Sequence, residues 1–129
     1  MNTRQPCPPG VCDCSREQLL QTPQSDLRIL QLTRQEEKRL LERLENLQSL
    51  EDLERMQARM HELLGIRVHL DPGHTEVKSM LGIEITLEPL PGLCRKTRES
   101  IPKAIRRGLR NRPEIAWRLL DAQGLFRDL

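Results

Sequence analysis

"LLGIRVHLD", residues 63–71, decides the fold, because the spacing of apolar side chains changes there from a helical to an extended period. Upstream, "SLEDLERMQARMHELLG" (49–65) places Leu53, Met56, Met60, Leu63 and Leu64 on one helical face. Ser49 is a good N-cap, Glu51 and Asp52 lie near the positive helix end, and Gly65 supplies a left-handed stop. Downstream, Ile66, Val68 and Leu70 alternate with Arg67, His69 and Asp71, which is the period of a half-buried strand. "IEITLE" (83–88) repeats the alternation, with Ile83, Ile85 and Leu87 against Glu84, Thr86 and Glu88. "DPGH" (71–74) reads as a turn, "TEVKSM" (75–80) as a third short strand or an extended loop, and Pro89, Pro91 and Gly92 end the sheet. A small antiparallel hairpin or meander covered by helices on one face is predicted.

Further upstream the same logic predicts two more helices. "TRQEEKRLLERLENL" (33–47) opens with Thr33 and Glu36 at capping-box spacing, and Leu40, Leu41, Leu44 and Leu47 form its inward face. Almost no linker separates it from the helix at 49, so an antiparallel pair or a sharp elbow is expected. "TPQSDLRILQL" (22–32) offers Thr22 as an N-cap and Pro23 as first helical residue, with Leu27, Ile29 and Leu30 inward. After the sheet, "SIPKAIRRGLRNRPEIAWRLLDAQG" (100–124) predicts a pair of short helices. One starts at Ser100 or Ile101 with Pro102 in its opening turn; Asn111 and Arg112 break it; Pro113 opens the second and Gly124 closes it. The expected fold is α+β: N-terminal helices, hairpin or meander, C-terminal helix pair.

Length and composition agree with this order. A chain of 129 residues can bury one core without a covalent staple. That core must be aliphatic, since Trp117 and Phe126 are the only aromatic residues, and strands built for sandwiches or barrels favour aromatics. Residues 16–129 are expected to form a single helix-rich domain, preceded by a Cys/Pro-rich flexible tail over 1–15. Charged residues make up 31% and no apolar run is long enough to cross a bilayer, so no membrane association is expected. The N-terminal stretch lacks the basic start and apolar core of a secretory signal, which points to a cytoplasmic location.

The charge is segregated. Residues 90–129 hold ten basic and four acidic side chains, a net of +6, which leaves −4 on residues 1–89 of a chain whose total is +2. Such a split predicts either an anionic partner for the C-terminal part or an internal match between the halves. In "CRKTRESIPKAIRRGLRNR" (94–112) a helix would turn Lys103, Arg106, Arg107 and Arg110 away from Ile101, Ile105 and Leu109. Arg95, Lys96 and Arg98 would extend that patch around the helix start, making these seven residues the candidate nucleic-acid contact. Ala104 and Gly108 have the A-x-x-x-G spacing of a helix-turn-helix turn, but Gly108 precedes the break at 111–112.

"CPPGVCDC" (7–14) crowds three thiols into a C-x4-C-x-C run. In a reducing compartment, clustered thiols are more often metal ligands than disulfides, and Cys7, Cys12 and Cys14 with Cys94 would give zinc four thiolates. The spacing matches neither the C-x2-C pair of zinc sites nor the ferredoxin run, so a thiol-bearing tail with a buried Cys94 competes. His61, His69 and His74 lack a nucleophile and carboxylate in any local catalytic pattern, and no phosphate-binding glycine loop is present. A non-enzymatic protein is therefore expected. Two readings follow: a regulatory or accessory nucleic-acid-binding protein using the basic helix pair, or an adaptor or chaperone-like module. In the second, the Leu/Met helices or a sheet edge receive a protein partner, an acidic protein or a further copy of the chain, and the arginines merely solubilise.

Overall fold

The computed structural model describes Arg4, residues 14–71 and residues 83–122. Among the described residues, five α-helices and two strands follow one another as α1 (Arg16–Gln21), a 3-10 turn (Arg28–Gln31), α2 (Arg34–Glu45), α3 (Leu50–Leu64), β1 (Val68–Asp71), β2 (Glu84–Leu87), α4 (Arg95–Asn111) and α5 (Pro113–Ala122). This is the expected α+β order. The strands pair antiparallel, with Val68 opposite Leu87, His69 opposite Thr86, Leu70 opposite Ile85 and Asp71 opposite Glu84. Val68 and Ile85 are buried while His69, Glu84 and Thr86 are exposed, as the alternation predicts. The turn at 71–74 beyond Asp71, His74, the stretch at 75–80 and Gly124 lie outside the described residues.

Local capping follows the sequence closely in the middle of the chain. The Thr33 hydroxyl accepts from the Glu36 backbone N–H at 3.3 Å, and the Ser49 hydroxyl accepts from the Asp52 N–H at 3.1 Å. The capping box at Thr33 is one-sided, because the Thr33 N–H donates to the Gln31 carbonyl and the Glu36 carboxylate pairs with Arg39. Gly65 ends α3 at φ 78°, and its N–H donates back to the His61 carbonyl. The Arg28 guanidinium closes the same end, donating to the carbonyls of His61 (3.1 Å) and Glu62 (2.9 Å) while it is held by Asp26.

Two expectations are corrected. Thr22 does not start a helix; it ends α1, with its hydroxyl donating back to the Gln18 carbonyl at 2.7 Å. The cause is Pro23, which drives the residue before it into extended backbone (φ −85°, ψ 122°). The stretch after it then forms only the 3-10 turn, which buries Ile29 and Leu30 and leaves Leu27 47% exposed. The second correction concerns α4, which starts at Arg95 rather than Ser100 or Ile101 and carries Pro102 within the helix. A mid-helix proline removes one N–H donor and costs about 3 kcal/mol. Burial offsets it: Ile101, Ala104, Ile105 and Leu109 are at most 2% exposed. The added N-terminal turns are held by Thr97, also buried, whose hydroxyl donates to the Glu37 carboxylate of α2 at 2.8 Å.

Helix α4 is the centre of the molecule, packing on α2, on β2 and on α5. At the α2–α4 contact, the Gly108 Cα approaches the α2 backbone so closely that a Cβ built there would lie 2.3 Å from the Leu44 carbonyl oxygen. Ala104 and Gly108 are thus a small-residue seat for a neighbouring helix, within α4 and not at a turn. Helix α3 packs instead on the 3-10 turn and α5. Residues 46–49 join α2 to α3, and the two helices have different main packing neighbours.

Candidate interaction surfaces

The seven basic residues proposed as one patch all stand on α4, which places Arg95, Lys96 and Arg98 in its opening turns and not ahead of it. The fold then divides them. Arg107 donates to the Glu45 carboxylate of α2 at 2.8 Å, Arg106 donates to the Ile83 carbonyl at the entry to β2 at 3.1 Å, and Arg95 pairs with Glu99 one turn on. Nearby, Arg118 of α5 donates to both oxygens of Glu51, at 2.6 and 2.8 Å. That pairing holds the Glu51 carboxyl at about 2 and raises Arg118 above its ordinary range, in each case chiefly through the side-chain hydrogen bond. Two of the C-terminal basic side chains, Arg107 and Arg118, are therefore matched by acids of the N-terminal half.

Lys96, Lys103 and Arg110 differ: their side chains make no ion pair or hydrogen bond among the described residues. Spaced seven apart, they fall on one side of α4 over roughly 21 Å of helix, at 1.5 Å per residue. The spacing was legible in the sequence, and so was an internal match between the halves; which arginines that match takes was not.

Cys7 and Cys12 lie outside the described residues. Cys14 is buried and Cys94 half-buried. The Cys14 carbonyl accepts from the Gly92 N–H at 2.6 Å, so the fold does bring the Cys14 segment beside the approach to Cys94. Arg4 reinforces this junction, donating to the Gly92 carbonyl at 2.6 Å. Among the described residues no group of three or more His, Cys, Asp or Glu could hold a metal ion. His61 and His69 sit in a surface network that the sequence did not reveal. His69 Nε2 lies 2.9 Å from Glu88, and Arg67 donates to His61 Nε2 at 3.1 Å and approaches Glu88 at 3.7 Å.

A second surface lies on the Leu/Met helices, among residues whose spacing also reads as core. Where α2 and α3 diverge they leave a groove of about 620 Å³, closed at one end by the segment leading into α2. Its floor is Leu32, Leu40, Met56, Met60, Leu63 and Leu64. Leu32 and Met60 are buried, Leu40, Met56 and Leu64 are half-buried, and Leu63 is 51% exposed, so the predicted inward stripe of α3 is in part a solvent-facing wall. The rim carries Arg39 and Arg43 with Glu36 from α2, and Arg59 from α3. Arg43 is committed to Asp52 at 2.5 Å, which lowers the Asp52 carboxyl and raises Arg43, mainly through that hydrogen bond. Arg39 pairs with Glu36 at 3.3 Å between exposed side chains, and Arg59 makes no ion pair among the described residues.

No family model, curated protein or solved structure matches the chain. No helix among the described residues is long and apolar enough to cross a membrane.

Proposed function

We propose that the chain is a non-enzymatic protein-interaction adaptor whose docking site is the groove between α2 and α3. The observation that carries this reading is the Leu/Met floor open to solvent, with Leu63 half-exposed between two helices that pack on different neighbours. Unbranched methionines, two of which line this floor, adapt to the shape of what they meet.

Nucleic-acid binding is a second reading, favoured by the stripe Lys96, Lys103 and Arg110 of α4, whose side chains have no acidic partner among the described residues. It needs the stripe alone, since Arg106 and Arg107 already have internal partners. A single experiment separates the two. A photoreactive side chain in place of Met56 should give a protein adduct in the native cell extract that Leu63→Asp abolishes. The same group in place of Lys103 should give none, and in place of the exposed Trp117 serves as a control for random capture. A nucleic-acid adduct from position 103 with no adduct from position 56 would reverse the assignment.

A further inference from the structure

The groove also constrains what kind of segment fits it. Its walls are helices, whose backbone groups are bonded within themselves, so the groove offers an incoming chain side chains and no sheet edge. An extended segment seated there would bury backbone N–H and C=O groups without partners, whereas a helix brings its own bonds with it. Along α3 the lining runs from Met56 to Leu64, roughly 12 Å at 1.5 Å per residue, which is a little over two helical turns. That length suits apolar anchors at i, i+4 and i+7. The site is open rather than enclosed: Leu63 is 51% exposed and the Arg39 side chain 74% exposed. A small ligand is ordinarily buried over most of its surface, which this groove does not provide.

Charge sets the flank. Arg59 on one wall is unpaired among the described residues, and Arg39 on the other is held only by an exposed i, i+3 pair with Glu36, a contact of little net value. Arg43 is bound to Asp52 and does not compete for a ligand. Resting on the adaptor reading above, we propose that the groove takes a short amphipathic helix of a partner protein, Leu or Met anchors down and carboxylates along the flanks facing Arg39 and Arg59.

The test uses the full chain and three labelled helical peptides of about fifteen residues. All carry Leu at i, i+4 and i+7, with flanking positions Glu, Gln or Lys, read by fluorescence anisotropy at low and high salt. The Glu peptide should bind about tenfold tighter than the Lys peptide at low salt, with the gap closing as salt rises. Arg59→Glu combined with Arg39→Glu should invert the order, and Leu63→Asp should abolish binding while leaving the melting temperature unchanged. Equal affinity for all three peptides would overturn the acidic-flank inference and leave the adaptor reading standing. Absence of binding by any peptide would overturn both. A chain that sediments as a dimer and becomes monomeric on Leu63→Asp would assign the groove to a second copy and overturn the partner-helix proposal.

Discussion

Asp52 shows how one residue is legible in kind and not in consequence. Its place three residues after Ser49 marks it as favourable at the start of α3. Its burial, at 4% exposure, depends on Arg43 nine residues back, whose guanidinium reaches it, and on the Gln48 N–H, which donates to it at 3.0 Å. Removing the carboxylate strands both donors near the elbow. Asp52→Ala should destabilise the fold by about 2 kcal/mol, with Asp52→Asn costing less because it still accepts from Gln48. Chemical denaturation at neutral pH measures both. The pH dependence has a definite sign. The folded carboxyl is held below its ordinary 3.8, so the unfolded chain takes up its proton first on acidification. The stability Asp52 supplies is complete well above pH 4 and drains away as pH falls through the folded value. Asp52→Asn should therefore flatten the loss of stability between pH 5 and pH 3, and an unchanged acid slope would remove Asp52 from that role. Asp26, lowered by Arg28, contributes an acid slope of its own that the Asp52 variants leave in place.

At the scale of elements, sequence period places α2, α3, α5 and the two strands but gives no sign of α1, and proline marks the start of α5 correctly while misplacing two other boundaries. The strands and helices α2, α3 and α5 stand where alternation, caps and Gly65 put them, because those signals are local. Pro23 and Pro102 were both read as helix starts. Pro23 instead forces Thr22 out of the helix before it, and Pro102 is carried inside α4 because the buried Ile101 and Ile105 and the Thr97–Glu37 bond outweigh its missing donor. Neither outcome is visible without the packing partner. The same holds for Gly108, whose spacing from Ala104 suggested a turn but which seats α2. Alanine is the better helix former by about 1 kcal/mol. Even so, Gly108→Ala should lower stability by about 1–3 kcal/mol, since its methyl would meet the Leu44 carbonyl oxygen and force α2 away. Thermal melts of the variant check this. A rise in melting temperature would mean that the helix contact yields easily and that propensity dominates.

For the whole molecule, the charge split read from composition has two components that composition alone cannot separate. The first is a cross-chain match: Arg107 with Glu45, Arg118 with Glu51, and the Asn111 side chain donating to the Glu45 carbonyl tie the C-terminal helices to the elbow between α2 and α3. The second is the stripe Lys96, Lys103 and Arg110, which the fold leaves unmatched among the described residues. The candidate patch was therefore legible as residues but not as roles, because an arginine's partner is chosen by tertiary contact. The groove was less legible still, since the same Leu and Met spacing serves a core or an open cleft. Stability and anion binding should consequently respond to different substitutions. Arg106→Gln with Arg107→Gln removes a bond to the Ile83 carbonyl and an ion pair to Glu45, and should cost about 1–2 kcal/mol. Lys96→Gln, Lys103→Gln and Arg110→Gln together remove no partner among the described residues and should change stability by at most about 0.5 kcal/mol per site. If the stripe has a polyanionic partner, the triple variant loses salt-sensitive binding to duplex DNA or to RNA while melting like the parent chain. If it melts early, the three cations are structural after all, and the separation of the basic residues into clamps and free charges fails.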